Sequence, residues 1–170
     1  STPYVEFAAL KRAQSGPQAA IDMMRKAPID LESAAQVESL RALATDLVAA
    51  GQPDEALSLA AAAAAKNPDS AANIELHARL LDAMGRDDEA RSKLEALIAA
   101  NPDYAPAFDA LGSLSRSAGQ LDAAIGYFDQ AAALSPDIAE YDYAAAQVLL
   151  MQGKIDAAMA RMREARATDP

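Results

Sequence analysis

Four glycines, Gly51, Gly85, Gly119 and Gly153, recur at a constant interval of 34, and four prolines, Pro68, Pro102, Pro136 and Pro170, keep the same step. Three more columns run in phase with them. They are Ala56, Ala90, Ala124 and Ala158; Asp54, Asp88, Asp122 and Asp156; and Asp69, Asp103 and Asp137. Independent columns in register over several copies mark an array of structural repeats, in which no unit buries its own apolar face and neighbours stack to share a core. The columns also set the unit: helix, tight turn, helix, turn. Glycine tolerates positive φ and ends the first helix in a left-handed cap. The aspartates three residues on are placed to accept hydrogen bonds from the free amides of the second helix. Proline then turns its predecessor away from helix, and Asp69, Asp103 and Asp137 are placed to cap the helix that follows.

Small residues predict how the helices pack. Ala44, Ala78, Gly112 and Ala146 sit midway along the first helices, facing Ala56, Ala90, Ala124 and Ala158, so each pair can approach closely. The chain holds 45 alanines in 170 residues, which fits such packing. Larger apolar residues at helical spacing supply the buried stripe: Leu40, Leu43 and Leu47, Phe108 and Leu111 on first helices, and Leu94, Phe128 and Met162 on second helices.

These residues resemble the tetratricopeptide repeat family, whose 34-residue unit carries the pattern W-x2-L-G-x2-Y, A-x3-F-x2-A and P. The unit 105–138 is the best match, with Phe108, Leu111, Gly112, Ala124, Phe128, Ala131 and Pro136 in the signature columns and Ser115 in place of the usual tyrosine. Units 37–70 and 71–104 match through Leu40, Leu43, Ala44, Ala56, Ala60 and Ala63, and through Ile74, Ala78, Leu81, Ala90, Leu94 and Leu97. The unit 139–170 departs at Asp142, where a large apolar residue is expected; Tyr141 or Tyr143 is left to fill that space. Residues 1–36 read as a degenerate pair, since Tyr4, Phe7, Ala8, Ala20, Met24 and Ala27 keep the internal spacing while Gly16 and Pro28 fall out of register. Its second helix would stop near Pro28, with Asp30 or Ser33 and Gln36 capping the next. The resemblance implies an all-α fold, a right-handed superhelix of the α-α solenoid type with about ten helices.

The chemistry points to binding without catalysis. The chain has no cysteine, and no glycine-rich phosphate loop, HExxH helix or G-x-S-x-G elbow is present. Its single histidine, His77, occupies the column of Leu43, Leu111 and Ala145, which points the ring between paired helices. The run Asp87, Asp88, Glu89 lacks the glycine-punctuated loop that organises calcium ligands and reads as a solvated helix start. We therefore expect no catalytic residue, no cofactor and no metal. A net charge of −10 repels nucleic acid and favours neutral or basic protein partners. The longest uncharged stretch, residues 143–153, is too short to cross a bilayer. The sequence leaves the compartment open between cytoplasm and periplasm, and its alanine content is compatible with a bacterial source.

By the same resemblance, the first helices line a concave groove that holds a peptide or partner helix. The groove would include Glu38, Arg41, Thr45, Glu75, Arg79, Asp82, Asp109, Ser113, Arg116, Tyr143 and Gln147. The lysine and asparagine clamp of the family's chaperone-tail binders has no counterpart at the matching positions. Arg41, Arg79 and Arg116, spaced by 38 and 37, admit two readings: a diagonal basic row that grips carboxylates, or arginines paired on their own helices with Glu38, Glu75 or Asp82. On the final helix, Ile155, Met159, Met162 and Arg166 recur at helical spacing, so this face is expected either to meet further repeats of a longer array or to be covered by another copy or partner. The whole then reads as a protein-interaction scaffold, with a substrate-recognition region of a larger enzyme and a homo-oligomerisation module as the alternatives.

Overall fold

A computed structural model describes residues 3–26 and 37–168. The proposed stop at Pro28, Ala27 and the caps at Asp30, Ser33 and Gln36 lie outside the described residues. Among those described there are ten helices and no strand. They are α1 (Pro3–Ser15), α2 (Pro17–Met24), α3 (Val37–Ala49), α4 (Pro53–Lys66), α5 (Ala71–Ala83), α6 (Asp87–Ala100), α7 (Ala105–Ser117), α8 (Leu121–Leu134), α9 (Ala139–Met151) and α10 (Ile155–Thr168). The starts of the first helices α3, α5, α7 and α9 keep the step of the glycine column. Those glycines end them as expected, with φ between 71° and 75°, and Gly16, out of register by a residue, does the same for α1 at 83°.

The aspartate columns do something different from capping. The residue whose carbonyl accepts the first bond of each second helix is Gln52, Arg86, Gln120 or Lys154, two residues before the aspartate. Asp54, Asp88 and Asp122 therefore lie inside the first turn, where a carboxylate favours the positive end of the helix without closing it. The second column, by contrast, falls one residue before the cap. The cap of α5 is Ser70, whose Oγ accepts from the Asn73 amide at 3.4 Å, while Tyr104 and Ile138 hold the same place before α7 and α9 with no side-chain bond.

The chain divides into two compact units, residues 1–90 and 91–170, and α6 spans the division. In the first, α1 packs on α2 and α3, α3 on α4, and α4 on α5. Their shared core joins Ala8, Ala20, Ile21 and Met24 to Leu40, Leu43, Ala44, Leu47, Ala56, Ala60 and Ala63, and reaches Leu76 and Leu80 on α5. In the second, α7 packs on α8, α8 on α9, and α9 on α10. One cluster there joins Ala105, Phe108, Ala131 and Tyr141; another joins Ala124, Phe128, Ala145 and Val148. Tyr141 is buried in the first of these, against α7 and α8.

Phe128 explains the glycine of its repeat. Its ring is wholly buried, and a Cβ placed on Gly112 would stand 2.7 Å from Phe128 Cε1. The other repeats hold Ala44 with Ala60, Ala78 with Leu94 and Ala146 with Met162 in the same two columns, so the one repeat with glycine on its first helix carries the aromatic ring on its second.

Candidate interaction surface

In the first unit the candidate groove residues form a charge network built on the repeat itself. Glu75 of α5 is 1% exposed, so its carboxylate belongs to the interior and not to a partner-facing surface. Arg41, one full repeat earlier on α3, reaches it at 2.8 Å, and Arg79, one turn later on α5, pairs with it as well. Arg41 also stands 3.8 Å from the exposed Glu38. The pairing reading of the arginines therefore fits the geometry, with the addition that Arg41 pairs across to the next repeat. Thr45 is exposed and donates to the Arg41 carbonyl at 2.8 Å.

A second ion pair spans one repeat in the same way. Arg12 of α1 holds Asp46 of α3 through both carboxylate oxygens, the Nη2 contact being 2.9 Å, and Asp46 is fully buried. The bond to Asp46 raises the Arg12 pKa above its ordinary value, against the opposing effect of burial. Asp46 sits in the column of Leu80, Leu114 and Val148, so an acid interrupts an otherwise apolar row and its counter-ion lies one unit back. That interruption was the available signal for both residues, and sequence reasoning did not use it.

Asp82, half-buried near the end of α5, has its pKa raised, first by burial and then by repulsion from Asp87, while Arg79 pulls the other way. In the unfolded chain this carboxyl ionises first. Stability is therefore lost as pH climbs from the unfolded value through the raised folded one. Asp82→Asn is expected to raise the melting temperature at neutral pH and to leave it unchanged near pH ~3, where both states are protonated. Thermal melts across that range check it, and a lower neutral melting temperature would contradict it.

In the second unit, Asp109, Ser113 and Tyr143 are half-buried and Gln147 is exposed. Arg116 donates to Gln147 at 3.2 Å and lies 6.0 Å over the Phe128 ring, which ties α7 to α8 and α9. Arg161 of α10 bridges Asp129 on α8 and Asp142 on α9, each at 2.6 Å. Burial lowers its pKa, but the hydrogen bonds to Asp142 and Asp129 outweigh that and leave it raised. His77 is half-buried. Met162 is likewise half-buried, whereas Ile155 and Met159 are exposed. The Arg166 side chain lies outside the described residues.

Among the described residues no group of three or more His, Cys, Asp or Glu comes together to hold a metal ion, and no helix is long and apolar enough to cross a membrane. The family model described as "Tetratricopeptide repeat" matches residues 47–114 and 115–170. The chain belongs to the tetratricopeptide repeat family. The α-α solenoid fold follows, and solved structures agree with it. A thermophilic TPR protein of Thermus thermophilus, TTC0263, superposes with a TM-score of 0.75 at 23% identity over 97% of this chain and 89% of that one. MamA gives 0.63 at 21% identity over 95% and 94%, and residues 41 to the end of MamA from Desulfovibrio magneticus RS-1 give 0.63 at 18% over 98% and 93%. At these identities the likeness concerns the fold alone. No curated protein matches this chain. Tetratricopeptide repeat proteins are typically non-catalytic scaffolds for protein–protein interaction, and a protein partner is the class this family membership supports.

Proposed function

We propose that the chain is a non-catalytic scaffold whose first-helix faces hold a neutral or basic peptide segment of a partner protein. The observation that carries this reading is the burial of Glu75 beneath Arg41 and Arg79. Two of the three arginines on these faces are spent on an internal carboxylate, and the third is engaged by Gln147 and Phe128. The same faces carry the exposed Glu38 and the half-buried Asp82 and Asp109, beside the neutral Thr45, Ser113, Tyr143 and Gln147. Such a surface repels an acidic segment and attracts a basic one, in accord with the net charge of −10. Helices packed before the partner arrives also limit the ordering cost of binding.

Selection of a random peptide display library on the immobilised chain tests this. The expected winners are neutral or basic, bind less tightly as salt is raised, and lose about tenfold in affinity on Glu38→Lys with helicity unchanged. Acidic winners, or affinities indifferent to both changes, would overturn the reading.

A further inference from the structure

Two apolar faces have no part in that binding surface. On α1, Phe7 and Leu10 are 60% and 51% exposed; on α10, Ile155 and Met159 are 59% and 46% exposed. The repeat columns tell what each is shaped to meet. Ile155 and Met159 stand one repeat after Leu121 and Ile125 of α8, and those two pack against the cluster that holds Ala145 and Val148 of α9. The face of α10 is thus the kind of face that a following first helix covers. Ala8 precedes Ala20 by the same twelve residues that separate Ala146 from Ala158, and all four are buried. In that alignment Phe7 falls on Ala145 and Leu10 on Val148. The exposed face of α1 is therefore the kind that covers a preceding second helix.

The rim agrees. Gln152 donates to Asp122 at 2.7 Å across the contact of α8 with α9. The matching positions are Gln14 on α1 and Asp156 on α10, and both are exposed. We infer that α10 of one copy docks on α1 of a second copy of this chain, repeating the packing of α8 on α9, with Ile155 and Met159 against Phe7 and Leu10 and Gln14 donating to Asp156. The two faces complement each other and neither complements itself, so the contact is heterologous and each added copy presents a fresh face, in a chain of copies or a closed ring. Each copy carries a charge of −10, so association strengthens as salt screens the repulsion. This contact goes beyond the binding surface proposed above, and neither depends on the other.

Sedimentation of the full chain from about 10 µM to about 1 mM reads the contact, and average mass is expected to rise with concentration and with salt. Two variants separate the faces: Phe7→Gln with Leu10→Gln, and Ile155→Gln with Met159→Gln. Each alone is expected to be monomeric, and their mixture to form a one-to-one dimer and nothing larger, because each retains the face the other lacks. Gln14→Lys, which alters only an exposed rim residue, is expected to strengthen assembly of the full chain severalfold by facing Asp156. A parent chain that stays monomeric throughout would overturn the proposal. So would either double variant assembling alone as the parent does, a mixture that remains monomeric, or a Gln14→Lys chain that assembles no better than the parent.

Discussion

Truncating Phe128 to alanine is expected to cost about 3–5 kcal/mol, the largest loss of any single substitution in the second unit. The ring is wholly buried between Gly112 on α7 and the α9 residues Ala145 and Val148, so its removal opens a void that two helices border. Arg116 loses its aromatic partner in the same step. Gly112→Ala has an opposite logic. Alanine favours helix by about 1 kcal/mol over glycine, but here its Cβ strikes the Phe128 ring, and overpacking of that kind costs about 1–3 kcal/mol. The single change is therefore destabilising. With Phe128→Leu already present the repeat takes the Ala78 and Leu94 combination of its neighbour, and Gly112→Ala is expected to become stabilising. Urea unfolding of the four chains of this cycle measures the coupling. No change of sign would mean that the two columns do not set each other's size.

Removing the Glu75 carboxylate is the second large effect. Glu75→Ala is expected to cost about 3 kcal/mol, near the lower end for breaking a buried ion pair, because Arg41 and Arg79 are each about one-third exposed and can turn toward water. Binding should change in the other direction. Glu75→Gln keeps the side-chain volume and removes the buried charge that Arg41 and Arg79 share, so the first-helix faces become more positive. Peptides selected on that variant are expected to be more acidic than those selected on the parent. Unchanged stability together with unchanged peptide charge would show that Glu75 does not hold the two arginines.

Much of the fold was legible in the sequence because the repeat is written in residues with one backbone meaning. The glycines require positive φ and the prolines stop a helix, so their columns placed the starts of α3, α5, α7 and α9. The aspartates were less legible. A carboxylate three residues past a glycine fits a cap and a first-turn position equally well, and only the backbone shows that Gln52 and Gln120 close the turn. The buried acids were harder still. Glu75 and Asp46 sit in first helices, and what holds each of them in the interior is a partner one full repeat away, Arg41 or Arg12, that local periodicity does not reveal. The departure at Asp142 has the same kind of cause, for its counter-ion Arg161 comes from the next helix.

Hydrogen exchange of the chain with and without a selected basic peptide tests the binding account most directly. Protection is expected on the first helices α3, α5, α7 and α9, and least on the solvent-facing sides of the second helices. Protection confined to the second helices or the turns, with the first helices unchanged, would contradict it.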